Sequence, residues 1–257
     1  MTASMPVLFL GHGSPMNAIE DNAWRRGWAE IAARLPRPKA VLCVSAHWET
    51  AGAAAVSASP NPTTIHDFGG FPRALFDVQY PAPGDPALAA RVGALLAPDT
   101  VVQHPTRGLD HGAWSVLLPM YPGADVPIVQ LSLDRNQPNG WHYDAGRRLA
   151  ALRDEGVLIV ASGDIVHNLR DVDFRTGATP DWAPRFNERA KRLIETHDHG
   201  PLIDWDSLGP DAVSAINSAE HYLPLLYALG AGAADDPVSF FNDDVFAGIS
   251  MTSVLFG

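Results

Sequence analysis

Three of the ten histidines come shortly after short apolar runs of the sequence: His12, His47 and His167. A neutral imidazole is the commonest metal ligand in proteins, and it also exchanges protons near neutral pH. If the apolar runs are strands of an open α/β sheet, their carboxyl ends frame the ligand crevice, so the three rings could meet there. For each histidine taken alone, a hydrogen-bonded polar residue at a strand end is the favoured interpretation.

His221 is a fourth candidate because it comes just before an apolar stretch at 222–229. Pro224 suits the first turn of a helix, so the sequence predicts a helix that begins near residue 223. A cation near a helix N-terminus is disfavoured by the macrodipole, so we expect His221 to be neutral, the form that binds metals. Four histidines in such positions, two of them beside glycine or small residues, make a common site as good an interpretation as four separate roles.

Two further histidines are candidates of a different kind. His111 follows Asp110 and precedes Gly112 and a helix-like run, so it could act as an acid or base, with a capping or loop role as the equal alternative. His66 lies in an aromatic, glycine-rich loop at 64–72, where it could line a pocket for a flat substrate or pack the loop. The remaining histidines are predicted to be surface or structural residues: His104, His142, His197 and His199.

The apolar pattern predicts an α/β fold. Short, nearly continuous apolar runs are typical of strands buried on both faces, and they occur at 7–10, 41–44, 128–131 and 157–160. Helix-like segments lie between them at 24–35, 86–96, 141–153 and 183–197. The late segment 240–256 could add one or two strands, antiparallel ones included. We therefore expect a single domain over 1–257, with a sheet of mostly buried strands flanked by helices and a metal site at the carboxyl ends of strands.

The composition excludes several classes of protein. The formal charge is 18 − 29 = −11, which argues against a nucleic-acid partner. Cys43 is the only cysteine, so an internal disulfide framework and a multi-cysteine metal site are excluded. No stretch approaches the ~20 apolar residues that cross a bilayer, and no export signal is visible before Arg25. We expect a soluble cytoplasmic protein without a membrane partner, either a monomer or a small homo-oligomer.

Seven segments in collinear order carry a family resemblance. They read GHGSPM at 11–16, SAHWE at 45–49, HDFGGFP at 66–72, YPAPG at 80–84, GLDHG at 108–112, SGDIVHNL at 162–169 and EHYLPLL at 220–226. With these segments the chain resembles the class III extradiol ring-cleaving dioxygenases of the LigB-type superfamily, in the 4,5-DOPA extradiol dioxygenase-like branch. The resemblance spans nearly the whole chain.

The resemblance implies a metal site at His12, His47 and His221, with His167 as either a fourth ligand or an acid/base beside it. It also implies that His111 lies close to the substrate. Iron enzymes of the wider superfamily usually use two histidines and a carboxylate, and although Glu220 is adjacent to His221, neighbouring side chains point apart along a helix or a strand. An all-imidazole site suits Zn²⁺ as well as Fe(II), so Fe(II) is expected for activity while Zn²⁺ could occupy the site as isolated.

The implied function is cleavage of the ring of a catechol, DOPA-like or a related aromatic diol, by O₂ to a ring-opened semialdehyde. The proton transfers need a base that titrates near neutrality, so we expect His167 first and His111 second as catalytic residues. Two alternatives use the same histidines, namely a zinc-dependent hydrolase and a non-catalytic metal-binding protein. Substrate contacts are expected from aromatic residues, with core packing as the equal alternative: His66, Phe68, Phe71 and Trp48.

Overall fold

A mixed sheet forms the centre of the protein, whose computed structural model describes residues 4–172 and 176–257. The strands of the described residues are β1 (Val7–Gly11), β2 (Ala40–Thr50), β3 (Ala54–Ser57), β4 (Val101–His104), β5 (Ile128–Asp134), β6 (Val157–Gly163), β7 (Val238–Phe241), β8 (Val245–Phe246), β9 (Ile249–Ser250) and β10 (Ser253–Phe256). Eight of them form one sheet in the order β4-β3-β5-β2-β6-β1-β10-β7, and β8 pairs separately with β9.

The four strands predicted from apolar runs form the middle of this sheet. β5, β2, β6 and β1 are neighbours in that order and are parallel to one another. β1, β5 and β6 are buried along their whole length, as the continuous apolar runs predict. Each strand also continues past its predicted run at the carboxyl end, because backbone pairing extends to polar and glycine residues that an apolar pattern does not mark. The predicted α/β fold is confirmed.

The edges of the sheet follow less directly from the sequence. β3 and β4 pair in parallel at one edge, and both were missed because each is only four residues long and β4 is largely exposed. At the other edge β10 is antiparallel to both β1 and β7. The prediction that the late segment adds antiparallel strands is therefore confirmed, although the segment holds more than the one or two strands expected.

Helices cover both faces of the sheet. Within the described residues they are α1 (Ala23–Arg34), α2 (Arg73–Phe76), α3 (Pro86–Leu95), α4 (His111–Met120), α5 (Asn139–Leu149), α6 (Trp182–Glu195), α7 (Gly200–Ile203), α8 (Pro210–Ala215) and α9 (Leu223–Ala231), with 3₁₀ turns at Pro15–Ala18, Ala150–Arg153 and Trp205–Leu208. The four predicted helices correspond to α1, α3, α5 with its following 3₁₀ turn, and α6. Among the residues that the structure describes, no helix is long and apolar enough to cross a membrane.

Alternate residues of β1 point into two different cores. Val7 and Phe9 join a core on one face, together with apolar side chains of α3, α5, α6 and α9. Leu8 and Leu10 join a core on the other face, together with side chains of α1 and α4. Because helices cover both faces, the ends of the strands are where a ligand can reach the sheet.

Candidate active site

Three histidine rings meet at the carboxyl edge of the sheet. His12 directly follows β1, His47 lies near the end of β2, and His221 lies in the turn before α9. One ring nitrogen from each lies within 4.8 Å of the others, and Nε2 of His12 is 3.2 Å from Nε2 of His47. We refer to these three residues as the histidine triad.

A break in the strand register accompanies the position of His47. β2 pairs regularly with β5 up to Val44 and resumes only at Glu49. Within the irregular part the His47 amide donates to Ser45 Oγ at 3.2 Å. Gly112, in the first turn of α4, leaves room for the ring, because a Cβ at that position would lie 2.8 Å from His47 Cδ2. Glycine at 112 is therefore a packing requirement of the site.

Backbone contacts hold the turn that carries His221 against the end of β6. The Asp164 amide donates to the His221 carbonyl at 2.8 Å. Gly163 ends β6, and a Cβ added there would overlap the same carbonyl oxygen. α9 then begins at Leu223, as the position of Pro224 predicts. His221 thus reaches His12 and His47 only because the backbone of β6 can approach the His221 carbonyl so closely.

Hydrogen bonds determine which nitrogen is free on two of the triad rings. Ser162 Oγ donates to the Gly112 carbonyl at 2.6 Å, so it accepts from Nδ1–H of His12 at 3.0 Å. Nδ1–H of His221 donates to the carboxylate of Glu220 at 3.1 Å. Both rings therefore present Nε2 with its lone pair, the arrangement in which an outer partner orients a metal-binding imidazole.

The contact between Glu220 and His221 corrects one expectation. Neighbouring side chains point apart in a helix or a strand, but both residues lie in a turn, so the carboxylate reaches the adjacent ring. Glu220 contacts the triad through Nδ1 of His221 and not as a member of the group that could share one ion.

The triad rings are neutral at neutral pH. Burial lowers the pKa of His12 and that of His221 well below the usual value, and neighbouring imidazoles lower both further. Burial, together with the nearby His111, lowers the pKa of His47 to about 3. Two nitrogens at about 2.1 Å from one ion lie at most about 4.2 Å apart, and the 3.2 Å between His12 and His47 satisfies that limit. The triad could therefore hold a divalent metal ion.

His167 lies beside the triad. Its ring stacks on that of His221, with centroids 3.5 Å apart and planes 5° apart. The lone pair of an imidazole lies in the ring plane, so the lone pairs of two stacked rings run parallel and point poorly at a single ion. Distance alone groups His167 with Asp164 and His221 as possible ligands, but the stacked orientation disfavours that sharing. Burial lowers the pKa of His167 to about 4, and its Nδ1 is buried with no hydrogen-bond partner among the described residues.

His111 and Asp67 form a hydrogen-bonded pair next to the triad. Asp67 Oδ1 accepts from Nδ1–H of His111 at 2.9 Å and from its backbone amide at 3.0 Å. Burial raises the pKa of Asp67, but these hydrogen bonds outweigh burial and leave the pKa below its usual value. The centroids of the His111 and His47 rings are 3.8 Å apart. Because Nδ1 is engaged by Asp67, Nε2 is the His111 nitrogen that a bound molecule could reach.

A cavity of ≈ 640 Å³ opens over these rings. All five histidines described above line it, so the structure brings His12, His47, His111, His167 and His221 to one place. The rest of the wall is mostly apolar and includes Trp24, Phe68, Phe71, Leu169, Phe246 and Met251. A largely apolar cavity with a few convergent polar groups is the usual form of a small-molecule site.

Two residues predicted to contact substrate lie outside this lining. Trp48 is buried, with the guanidinium of Arg107 4.8 Å from its ring centroid. His66 Nε2 contacts the Val78 carbonyl at 2.9 Å, and its ring packs on Phe68 with centroids 5.8 Å apart. Neither residue is among those of the cavity wall, so the structure does not bring Trp48 or His66 to the place where the five histidines meet.

Sequence reasoning did not find the side chains that orient the histidines. Ser162, Asp67 and Glu220 each accept a hydrogen bond from a histidine ring. All three belong to the segments that carry the family resemblance, which is the signal that could have found them. Glu20 and Trp24 also line the cavity, but no motif marks either residue, and an exposed helix start is the ordinary interpretation of that stretch.

Sequence comparisons agree with this geometry. The family described as "Catalytic LigB subunit of aromatic ring-opening dioxygenase" matches residues 6–257. A protein of Escherichia coli K12 named "4,5-DOPA dioxygenase extradiol" is 50% identical over 260 residues, which cover 98% of this chain and 95% of that protein. A Beta vulgaris protein of the same name is 36% identical over 95% of this chain and 92% of its own length.

A solved structure supports the same conclusion. The crystal structure of an uncharacterized protein from Escherichia coli K12 matches with a TM-score of 0.86 and 44% sequence identity, covering 98% of this chain and 100% of that one. Fold, sequence and the grouping of histidines at the strand ends therefore agree. The chain belongs to the LigB family and is an aromatic ring-opening dioxygenase of the extradiol class.

Proposed function

We propose that the protein cleaves the ring of a catechol with O₂, next to the diol, to give a ring-opened semialdehyde. The proposal rests on one observation, the meeting of three neutral imidazoles at the floor of a cavity large enough for a flat aromatic ring. Relatives named "4,5-DOPA dioxygenase extradiol" support a DOPA-like catechol or a related aromatic diol as the substrate. One ring carbon–carbon bond breaks, and both atoms of O₂ enter the product.

The histidine triad is proposed to hold Fe(II) in the active protein. Fe(II) supplies the redox chemistry through which a diol and O₂ react. Zn²⁺ suits the same imidazole donors and is proposed as an ion that can fill the site as isolated, but it does not exchange electrons. A zinc-loaded protein is therefore expected to be inactive in ring cleavage.

Proton transfer is assigned to His167 first and to His111 second. Removal of a proton from the diol needs a base with a free lone pair, and burial keeps His167 unprotonated. Its pKa of about 4 is lower than the near-neutral value expected from the sequence, so His167 is a weaker base than a free imidazole. The stacking of its ring on His221 supports this role over that of a fourth ligand. His111 presents Nε2 because Asp67 holds Nδ1–H, so it is the second group that could exchange a proton with the bound diol.

Phe68 and Phe71 are proposed to position the aromatic ring of the substrate. Their own rings meet edge to face with centroids 5.5 Å apart, and Phe68 also meets the edge of His111 at 5.5 Å. A flat ring packed on this wall would direct its diol towards the histidines, because the aromatic wall and the histidines line one cavity. Trp48 and His66 are not included, since they lie outside the lining.

Metal reconstitution tests the proposal. Metal-free protein is loaded with Fe(II) in the absence of air and then given a catechol and O₂, while oxygen uptake and ring-opened product are measured. Stoichiometric uptake and product formation would support the proposal. Hydrolysis of an ester by the Zn²⁺-loaded protein, without ring cleavage by the Fe(II)-loaded protein, would identify a zinc hydrolase instead. Bound metal without either reaction would identify a non-catalytic metal-binding protein.

A further inference from the structure

The cavity wall carries its charge at one end. Apart from the histidines, Glu20 is the charged residue among the described residues that line the cavity, and no lysine or arginine is among them. The Glu20 side chain is exposed, and its carboxylate makes no hydrogen bond or ion pair within 4–172 and 176–257. Neither arginine of the first turn of α1 pairs with Glu20, since Arg26 pairs with Asp21 and Arg25 Nε donates to the Ala18 carbonyl at 3.2 Å.

The neighbouring amide group at this end of the cavity is already used inside the protein. Asn17 donates through Nδ2 to the His12 carbonyl at 3.2 Å and accepts through Oδ1 from Asn22 at 2.9 Å. Asn17 is also buried, so it is a fixed part of the wall. Glu20 is thus left as an unengaged anionic group facing the cavity.

An aromatic face accompanies this carboxylate. Trp24 lies in the first turn of α1, four residues after Glu20, and lines the same cavity while remaining half-buried. The face of an indole ring attracts cations through its quadrupole. A carboxylate together with an indole is therefore a combination that favours an ammonium group and disfavours an anion.

This end of the cavity lies away from the histidine triad. A four-residue 3₁₀ turn, Pro15–Ala18, separates His12 from Glu20, and such a turn is about 8 Å long. The Glu20 amide closes the turn by donating to the Met16 carbonyl at 2.9 Å. Because the Glu20 side chain is exposed, it lies at the mouth while the triad forms the floor. The cavity of ≈ 640 Å³ that both ends line has room for an aromatic ring and a short side chain.

We propose that Glu20 and Trp24 select catechols whose side chain ends in an ammonium group over catechols whose side chain ends in a carboxylate. The inference rests on the proposed function, because it takes the diol to lie at the histidine triad. With the diol on the floor, the side chain extends towards the mouth, where the Glu20 carboxylate attracts an ammonium group and repels an anion. The formal charge of −11 acts in the same direction on any substrate that approaches.

Three probe catechols test the inference with the Fe(II)-loaded protein: dopamine as the cation, ethylcatechol as the neutral molecule and dihydrocaffeate as the anion. We expect kcat/KM to fall in that order, with dopamine exceeding ethylcatechol by roughly two- to fivefold, the size of one exposed ion pair or cation–π contact. Glu20→Gln should reduce this ratio towards one, and Glu20→Lys should reverse the order of dopamine and dihydrocaffeate. Glu30→Gln, an exposed carboxylate of α1 outside the lining, should keep the ratio.

A binding measurement separates this inference from the proposed function. Calorimetry with the Zn²⁺-loaded protein gives the affinities of the same three probes without turnover. If no probe is cleaved but dopamine binds best and Glu20→Gln removes that preference, the proposed function fails while the charge selection stands. If all three probes are cleaved and bound with ratios that neither Glu20→Gln nor Glu20→Lys changes, the inference is overturned while the proposed function stands.

Discussion

The floor and the mouth of the cavity are built in different ways. At the floor, His12, His47 and His221 are held by strand ends and by close backbone contacts. At the mouth, Leu169 and Phe246 are 54% and 44% exposed, and Phe246 lies on the β8–β9 hairpin. The groups proposed to bind the metal thus lie at strand ends or in a turn held against one, while the groups proposed to meet the rest of the substrate lie on exposed segments that tolerate change.

This difference predicts two kinds of response to substitution. At the floor, removal of a triad ring leaves its neighbours buried without a partner, so metal binding, turnover and stability should change together. At the mouth, water can replace a lost side chain, so effects should be confined to substrate affinity. Substitutions at the floor and at the mouth therefore test whether the two regions respond differently.

Replacement of His12 by alanine should have the largest effect. It removes one of the three imidazoles of the triad, so we expect metal content close to zero and loss of ring cleavage. Metal analysis by mass spectrometry, made beside steady-state rates, measures both. The control is His104→Ala, an exposed histidine of β4 outside the cavity lining, which should keep its metal and its activity. Full metal content in His12→Ala would contradict the proposed ligand role.

His167→Ala should separate turnover from metal binding. Because the ring stacks on His221 and is poorly oriented to share its ion, we expect metal content near that of the unmodified protein. Turnover should fall by about 100- to 10,000-fold, the range typical of a lost acid/base group. His111→Ala should behave in the same way, because Nδ1 of that ring is held by Asp67. Parallel loss of metal and activity in His167→Ala would identify His167 as a ligand instead.

The metal-free protein should become less stable as the pH falls below 6.5. Burial lowers the pKa of His167 in the folded chain to about 4 from 6.5, so between these values the unfolded chain binds more protons. The contribution of His167 to the free energy of unfolding is therefore fully present above pH 6.5. It is lost as the pH falls towards 4, by up to about 3 kcal/mol. Urea unfolding at pH 7 and pH 5 measures the change, and His167→Ala should show a weaker pH dependence. An identical dependence in both proteins would exclude this contribution.

Substitution of Glu220 should weaken metal binding without abolishing it. The carboxylate accepts from Nδ1–H of His221 and orients the ring, and loss of such a partner typically costs about 10- to 100-fold in metal affinity. Glu220→Ala is expected to lie in that range. Glu220→Gln, which keeps an acceptor oxygen, should lose less. Competition with a coloured chelator measures the affinities, and equal affinities in all three proteins would show that His221 is oriented by the backbone alone.

Only part of the floor could be predicted from the sequence. The central strands follow from apolar runs, and His12, His47 and His167 were found because each comes shortly after such a run. The partners of these rings could not be found in this way, since the contact of His12 with Ser162 joins residues 150 positions apart. Contacts of that kind depend on how the strands are ordered in the sheet, and no local pattern records the order β2-β6-β1.

Trp48 and Phe246 show two further limits. Side chains alternate between the faces of a strand, so His47 and Trp48 were not both to be expected in the cavity. Trp48 was predicted to contact substrate because it is aromatic, and the alternation of side chains along the strand was not considered. The structure buries it beside Arg107. Phe246 has the opposite property, because its residue type suggests a core position while the hairpin exposes it at the mouth.

Phe246→Ala tests the mouth and should have the smallest effect. The side chain is 44% exposed, so the free energy of unfolding should change by no more than about 0.5 kcal/mol. KM for a catechol should rise by about two- to fivefold, because truncation removes apolar surface worth roughly 0.5 to 1 kcal/mol to a ligand. Val213→Ala, a 54% exposed residue of α8 outside the lining, is the matched control and should not alter KM. If Phe246→Ala lost metal as a floor variant does, the mouth would be part of the same structural unit as the floor.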